Sequence, residues 1–154
     1  MDIEAKLVEL GYELPAPPKS VAAYVPWVIS GNHLILSGQL PMKNGELIAT
    51  GPIPSTASLE QAKAGAAQCA VNALAAISGA LDGDFDRLIR IVRLGVFVAS
   101  DIDFTEQHLV ANGASELLGE VLGDRGIHAR SAVGVPSLPL GASVEVEVMV
   151  EIKA

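Results

Sequence analysis

From Val144 to Ile152 every even-numbered residue is apolar, while Glu145, Glu147 and Glu151 occupy odd positions between them. Strict period-two alternation over that length describes a β-strand with one face sealed under apolar material and the other carrying charge. A helix cannot satisfy the pattern, because its 3.6-residue period would scatter the valines around the cylinder. The chain must therefore build a sheet with one covered face, and the covering layer has to come from elsewhere in the sequence.

Two helices can supply it. Ser58-Leu59-Glu60-Gln61 is a capping box, with Ser at the N-cap and Gln at N3, and it predicts a helix running to about Ser78. The small residues Ala62, Ala66, Ala70 and Ala73 would let that helix lie close against a sheet. Asp103-Phe104-Thr105-Glu106 reads as a second capping signal, for a helix ending near Leu122 ahead of Gly123. Between these helices residues 88–98 are β-rich, with Arg90 and Arg93 as polar members and Gly95 as a bulge or a point of close approach. Upstream, residues 24–29 and 33–37 favour strands, and Ser30-Gly31-Asn32 supplies a hairpin turn. Pro26, inside the first run, cannot donate to a ladder and sends that strand to an edge. Residues 41–54, rich in Gly and Pro, read as a loop. At the start, Ile3, Leu7 and Leu10 mark a short helix stopped by Gly11, and residues 14–18 form a proline-rich extended connector. Strand–helix–strand occurs twice, so the expected class is α+β: one mixed sheet with two long helices on one face. Residues 1–154 are read as a single domain in which residues 1–18 precede the core.

Charge narrows the partners. Eighteen acidic residues against ten basic ones give a net charge of −8, the wrong sign for a surface that must neutralise phosphates. The N-terminus, Met1-Asp2-Ile3-Glu4, is acidic where a secretory signal is basic, and no apolar run approaches the roughly 20 residues that span a bilayer. Cys69 stands alone, which rules out an internal disulfide and a cysteine-built metal site. The expectation is a cytoplasmic protein without nucleic-acid or membrane partners. Half of the residues are hydrophobic but only 4% are aromatic. So much aliphatic surface in one small domain points to association between copies.

Common catalytic signatures are missing: no GxSxG, HExxH, GxxxxGK[ST] or strand-linked GxGxxG occurs. His33, His108 and His128 lack metal-ligand spacing and read as surface or loop residues. Arg130 is the unusual residue, a lone charge heading the apolar run Ile127-His128-Ala129-Arg130-Ser131-Ala132-Val133-Gly134-Val135. It either snorkels to a surface carboxylate or presents its planar fork to the carboxylate of a ligand. Glu145 and Glu147, about 7 Å apart on one strand face, resist joint ionisation unless a cation sits nearby, and Arg130 is a candidate for that cation.

The segment His128-Ala129-Arg130-Ser131-Ala132-Val133-Gly134-Val135, then Leu138-Pro139 and Val144-Glu145-Val146-Glu147, resembles the C-terminal signature of the Rid (YjgF/YER057c/UK114) family. Tyr24-Val25, Gly31 through Pro41, and Asn112-Gly113 match further family segments, so the likeness covers the chain from about Leu14 onward. The resemblance implies a chorismate-mutase-like fold of the bacillus type and a homotrimer with ligand clefts between subunits. It implies hydrolysis of reactive enamines or imines to 2-keto acids and ammonia, with no metal and no organic cofactor. Arg130 falls on the family's carboxylate-binding arginine, and Glu145 on the glutamate that places the attacking water. Tyr24, Ser37 and Asn112 fall on residues lining the cleft, where the Ala132 backbone N–H is also available as a donor. Tyr24 or Ser37 would hydrogen-bond the water or the leaving nitrogen. The chain departs from the pattern at Ala132, where many members have cysteine, and at Gly134, where glutamate is common. The helix and connector of residues 1–18 are additions to the compact core. Two other functions stand beside the deaminase: a non-catalytic small-carboxylate binder or sensor, and an endoribonuclease, a label carried by some members that the net charge and scarce aromatics disfavour.

Overall fold

A computed structural model of the protein describes residues 2–20 and 23–153. Helix α1 (Ile3–Glu9) is followed by the hairpin β1 (Trp27–Ser30) and β2 (His33–Leu36), and by a short ribbon of β3 (Met42–Lys43) and β4 (Glu46–Leu47). Then come α2 (Leu59–Ala80), β5 (Leu88–Ala99), α3 (Gln107–Leu122), β6 (Ala129–Val135) and β7 (Val144–Ile152). The main sheet has the order β1-β2-β7-β5-β6. β7 is antiparallel to both β2 and β5, so those two run parallel with β7 between them, and β6 pairs with β5 in parallel. Both expected strand–helix–strand crossovers are thus present, and the fold is α+β with one mixed sheet.

The alternation of β7 sorts the two faces. Its even-numbered residues are buried and its odd-numbered ones half-buried. On the buried face Val144, Val146 and Val148 meet Val98, Val96 and Leu94 of β5. Above them lie Ala62, Ala66, Ala70 and Ala73 of α2 and Val110, Ala114 and Leu118 of α3, all in one core. Small residues set the spacing of the two helices. A Cβ on Gly113 would run into the Lys63 carbonyl oxygen, so α3 crosses α2 at backbone contact. Ile3 and Leu7 of α1 are buried in the same core. That helix ends in a Schellman motif, in which the Gly11 N–H reaches the Val8 carbonyl at 3.0 Å and the Tyr12 N–H the Leu7 carbonyl at 2.8 Å, with φ +81° at Gly11.

The capping box of α2 is formed in both directions: Ser58 Oγ accepts from the Gln61 N–H at 3.1 Å, and Gln61 Oε1 from the Ser58 N–H at 2.9 Å. The second capping signal fails. α3 starts at Gln107 with Glu106 at its N-cap and no side chain bonded there; instead Gln107 Nε2 turns back to the Phe104 carbonyl at 2.7 Å. Pro26 lies just before β1 rather than inside it, and its carbonyl accepts the Ser37 N–H. β1 is nevertheless an edge strand. The loop expected at 41–54 contains the β3–β4 ribbon, turned by Asn44 and Gly45, both at positive φ. Gly95 is a point of close approach: the register shifts of β5 fall earlier, and a Cβ there would stand 2.5 Å from Glu147 Oε1.

Candidate functional site

Strand register decides which polar groups can meet. On β6, Arg130 pairs with Leu94, Ala132 with Val96 and Gly134 with Val98. Those β5 residues are buried beneath the helices, so Arg130, Ala132 and Gly134 share the helix-covered face at the sheet's edge. There Arg130 docks on α3. Its Nη1 donates to Asn112 Oδ1 at 2.9 Å and to Ser115 Oγ at 3.0 Å, and its Nη2 to the His108 carbonyl at 3.3 Å. Every acceptor is a neutral oxygen. At Gly134 the space for a side chain is filled, since Ser100 Oγ and Gln107 Nε2 would stand 2.6 and 2.8 Å from a Cβ.

Glu145 and Glu147 point to the opposite face, which no helix covers among the described residues. Glu147 lies over Gly95 and forms an ion pair with Arg93 at 3.3 Å. Within one chain the cation beside this acidic pair is therefore Arg93 and not Arg130, because Arg93 projects from the same face as Glu147 and Arg130 from the other. Glu145 lies against Gly38, where a Cβ would collide with its Oε1. Burial raises the Glu145 pKa, and the charge of Glu147 raises it further. The segment carrying Gly38 is held by Gln39, which exchanges N–H···O bonds of 2.8 and 3.0 Å with Val146. Beside it, Ser37 Oγ donates to the Val25 carbonyl at 2.6 Å. Tyr24 is 68% exposed and, with Gly38, Pro15, Pro18 and Asn72, lines a cavity of 550 Å³.

The expected site residues thus fall into two groups. Arg130, Asn112 and Ala132 cluster at the β6 edge, while Tyr24, Ser37 and Glu145 gather around the β2 end. In the sheet order β7 and β5 stand between β2 and β6, so one chain does not bring the groups into a single cleft.

A family profile described as "YjgF/chorismate mutase-like, putative endoribonuclease" matches residues 4–152. The chain belongs to the YjgF (Rid) family. Among its relatives, Protein TCP17 of Trypanosoma cruzi is 44% identical over 151 residues, covering 97% of this chain and 94% of that one. A crystal structure of a protein of unknown function from Agrobacterium tumefaciens is 50% identical and superposes with a TM-score of 0.94, over 98% of this chain and 92% of the other. A Shewanella oneidensis protein whose structure is described as a putative endoribonuclease is 30% identical, with a TM-score of 0.91, over 97% and 99% of the two chains.

In this YjgF-family chain two further polar residues complete the Arg130 cluster, and sequence reasoning passed over both. His128 does lie in the loop before β6, but it is half-buried and engaged at both ring nitrogens, with Nδ1 2.6 Å from the Gly126 carbonyl and Nε2 2.9 Å from Ser115 Oγ. Burial lowers its pKa, the Gly126 bond opposes that shift, and the Arg130 charge adds to it. A signal for both was present. Asn112 and Ser115 are one helical turn apart, and His128 lies two residues before Arg130.

Proposed function

We propose that the protein hydrolyses small 2-imino acids to 2-keto acids and ammonia in clefts between subunits of a homotrimer. The state of Arg130 carries this reading. Among the described residues no carboxylate pairs with it, although the chain has an acidic surplus. Of the five N–H donors of a guanidinium, three are committed to neutral oxygens. The Nε–H and one Nη2–H remain, a pair of donors matched to the two oxygens of a ligand carboxylate. An arginine serving as a structural ion-pair partner would have its counter-ion in place.

The chemistry asks little of the rest of the site. An imine carbon is already electrophilic, so the scheme calls on no metal or organic cofactor and needs only a fixed carboxylate and an oriented water. The water oxygen bonds to the imine carbon while Glu145 takes a water proton and passes it to nitrogen. Transfer of the remaining hydroxyl proton to nitrogen then breaks the C–N bond, releasing ammonia and leaving the carbonyl of the keto acid. A raised pKa makes the Glu145 carboxylate a stronger proton acceptor than an ordinary glutamate. Tyr24 and Ser37, on the Glu145 side, would hold the water or the departing nitrogen. A second copy supplies the missing half: the β6 edge with Arg130 from one subunit, and Tyr24, Ser37 and Glu145 from its neighbour. The uncovered sheet face, with Val28, Ile35 and Val133 each more than two-fifths exposed, gives that neighbour an apolar seat. No described helix is long and apolar enough to cross a membrane, and a lone, buried Cys69 suits a reducing cytoplasm.

The test is keto-acid release from enzymatically generated 2-iminopropionate. The wild type should accelerate it, and Arg130→Ala should lower kcat/KM by at least about 100-fold, the loss of two charge-assisted hydrogen bonds. No acceleration by the wild type, or an unaffected Arg130→Ala, refutes the reading. A monomer by light scattering would remove the cleft. The second reading, a carboxylate binder without turnover, is favoured by one observation: the Arg130 cluster is complete within one chain and Glu145 is not part of it. Pyruvate binding by calorimetry without imine hydrolysis would select it. Ribonuclease activity gains nothing from a net charge of −8.

A further inference from the structure

The hydrogen bonds behind Arg130 have a polarity fixed from end to end. The Gly126 carbonyl can only accept, so His128 Nδ1, 2.6 Å away, carries the ring proton. In the neutral ring Nε2 is then an acceptor. Ser115 Oγ, 2.9 Å from it, must spend its only hydrogen there. With that hydrogen committed, Ser115 turns lone pairs alone toward Arg130, whose Nη1 donates at 3.0 Å. Were His128 absent, the Ser115 hydrogen would turn to another acceptor, such as a carbonyl one turn back on α3, and the lone pairs would no longer be held in line with the Arg130 fork.

We propose that His128 and Ser115 are positioning residues, a two-member relay that sets the orientation of Arg130 and thereby the affinity for a small carboxylate ligand. This rests on the carboxylate-binding reading above and extends it to residues that act through Arg130 rather than touch the ligand. Half-burial and the depressed pKa keep the ring neutral, the form the relay requires. Asn112 and the His108 carbonyl grip Arg130 independently, so loss of the relay weakens binding without abolishing it.

Pyruvate is the probe, titrated calorimetrically into the full-length wild type, His128→Ala, Ser115→Ala, the double variant and Arg130→Ala. Each relay variant should bind about three- to tenfold more weakly, the size of one net hydrogen bond. The double variant should bind no more weakly than the worse single one, because the two residues act in series. His128→Gln, which can offer an amide oxygen near the place of Nε2, should recover most of the loss. A packing defect would not be rescued in that way. Nitrogen-15 NMR of the wild-type imidazole should show the Nδ1–H tautomer. Wild-type affinity in the relay variants, additive losses in the double variant, or an Nε2–H tautomer would each overturn the relay while leaving the carboxylate reading intact. Absence of pyruvate binding to the wild type, matched by Arg130→Ala, would remove that reading and the relay with it.

Discussion

Gly113 and Gly119 lie on the same helix, α3, and replacing each by alanine should move stability in opposite directions. In a helix interior alanine is favoured over glycine by about 1 kcal/mol, a gain available at both positions. At Gly119 an added Cβ meets nothing within 4 Å, so the gain is kept. At Gly113 the Cβ would collide with the Lys63 carbonyl oxygen and stand 2.9 Å from its carbonyl carbon. Those atoms belong to the backbone of α2, no rotamer change moves them, and α3 must lift off its neighbour. Overpacking that displaces backbone costs about 3 kcal/mol, which leaves a net loss of about 2 kcal/mol after the helical gain. At about 2–4 °C per kcal/mol for a chain of this length, Gly119→Ala should melt about 2–4 °C above the wild type and Gly113→Ala about 4–8 °C below it. Circular dichroism melts at one fixed protein concentration are the assay, because association makes the midpoint concentration-dependent. A Gly113→Ala protein melting at or above the wild type would refute the claim that this glycine sets the α2–α3 distance. Since Asn112 is the preceding residue, the same variant should also bind pyruvate more weakly.

Three shorter tests address other elements. Gly38→Ala brings a Cβ onto the free end of the Glu145 side chain, so the fold should survive while the carboxyl is displaced; imine turnover should fall about 10- to 100-fold with pyruvate affinity unchanged. Ser58→Ala breaks the capping box of α2 and should cost about 1 kcal/mol in urea unfolding, whereas an unchanged midpoint would deny the cap any energetic weight. Glu145 has a raised pKa, so the folded state holds this proton longer than the unfolded chain does. Its contribution is complete below the ordinary carboxylate pKa and is lost as pH rises through the raised value. Glu145→Gln should therefore gain on the wild type as pH climbs across that window, and a pH-independent difference in urea stability would contradict the buried-carboxyl assignment.

What was legible in the sequence was what local pattern encodes. The valines of β7 announced a strand sealed on one side, and Ser58 with Gln61 announced the start of α2. Arg130 was visible as the odd charge in an apolar run. Its face was not, because β6 is an edge strand whose residues are exposed or at most half-buried, so no run of buried apolar positions marks one side. That Arg130 and Glu145 face opposite sides follows from pairings with Leu94 and Phe97, and those registers join segments far apart in the chain. The β3–β4 ribbon hid in its brevity, although Asn44-Gly45 is the dipeptide of a tight hairpin turn. At the start of α3 the acidic residues looked like a cap, yet the side chain that folds back is Gln107, just inside the helix. The link from His128 to Ser115 was beyond reach for the same reason as the registers: it spans from the loop before β6 to α3, and only the folded chain closes it.

The position of β7 also fixes when this molecule can become whole. It is the last strand of the sheet to leave the ribosome, yet it lies between β2 and β5 and borders both. Until residues 144–152 are made, β2 and β5 are open edges flanking a gap, and the apolar undersides of α2 and α3 have no floor. The closing contacts are long in sequence separation, which slows folding and lengthens the exposure of sticky edges. A nascent chain stalled before Val144 should therefore be a client for chaperones rather than a smaller folded protein, and its edges are where aggregation would start.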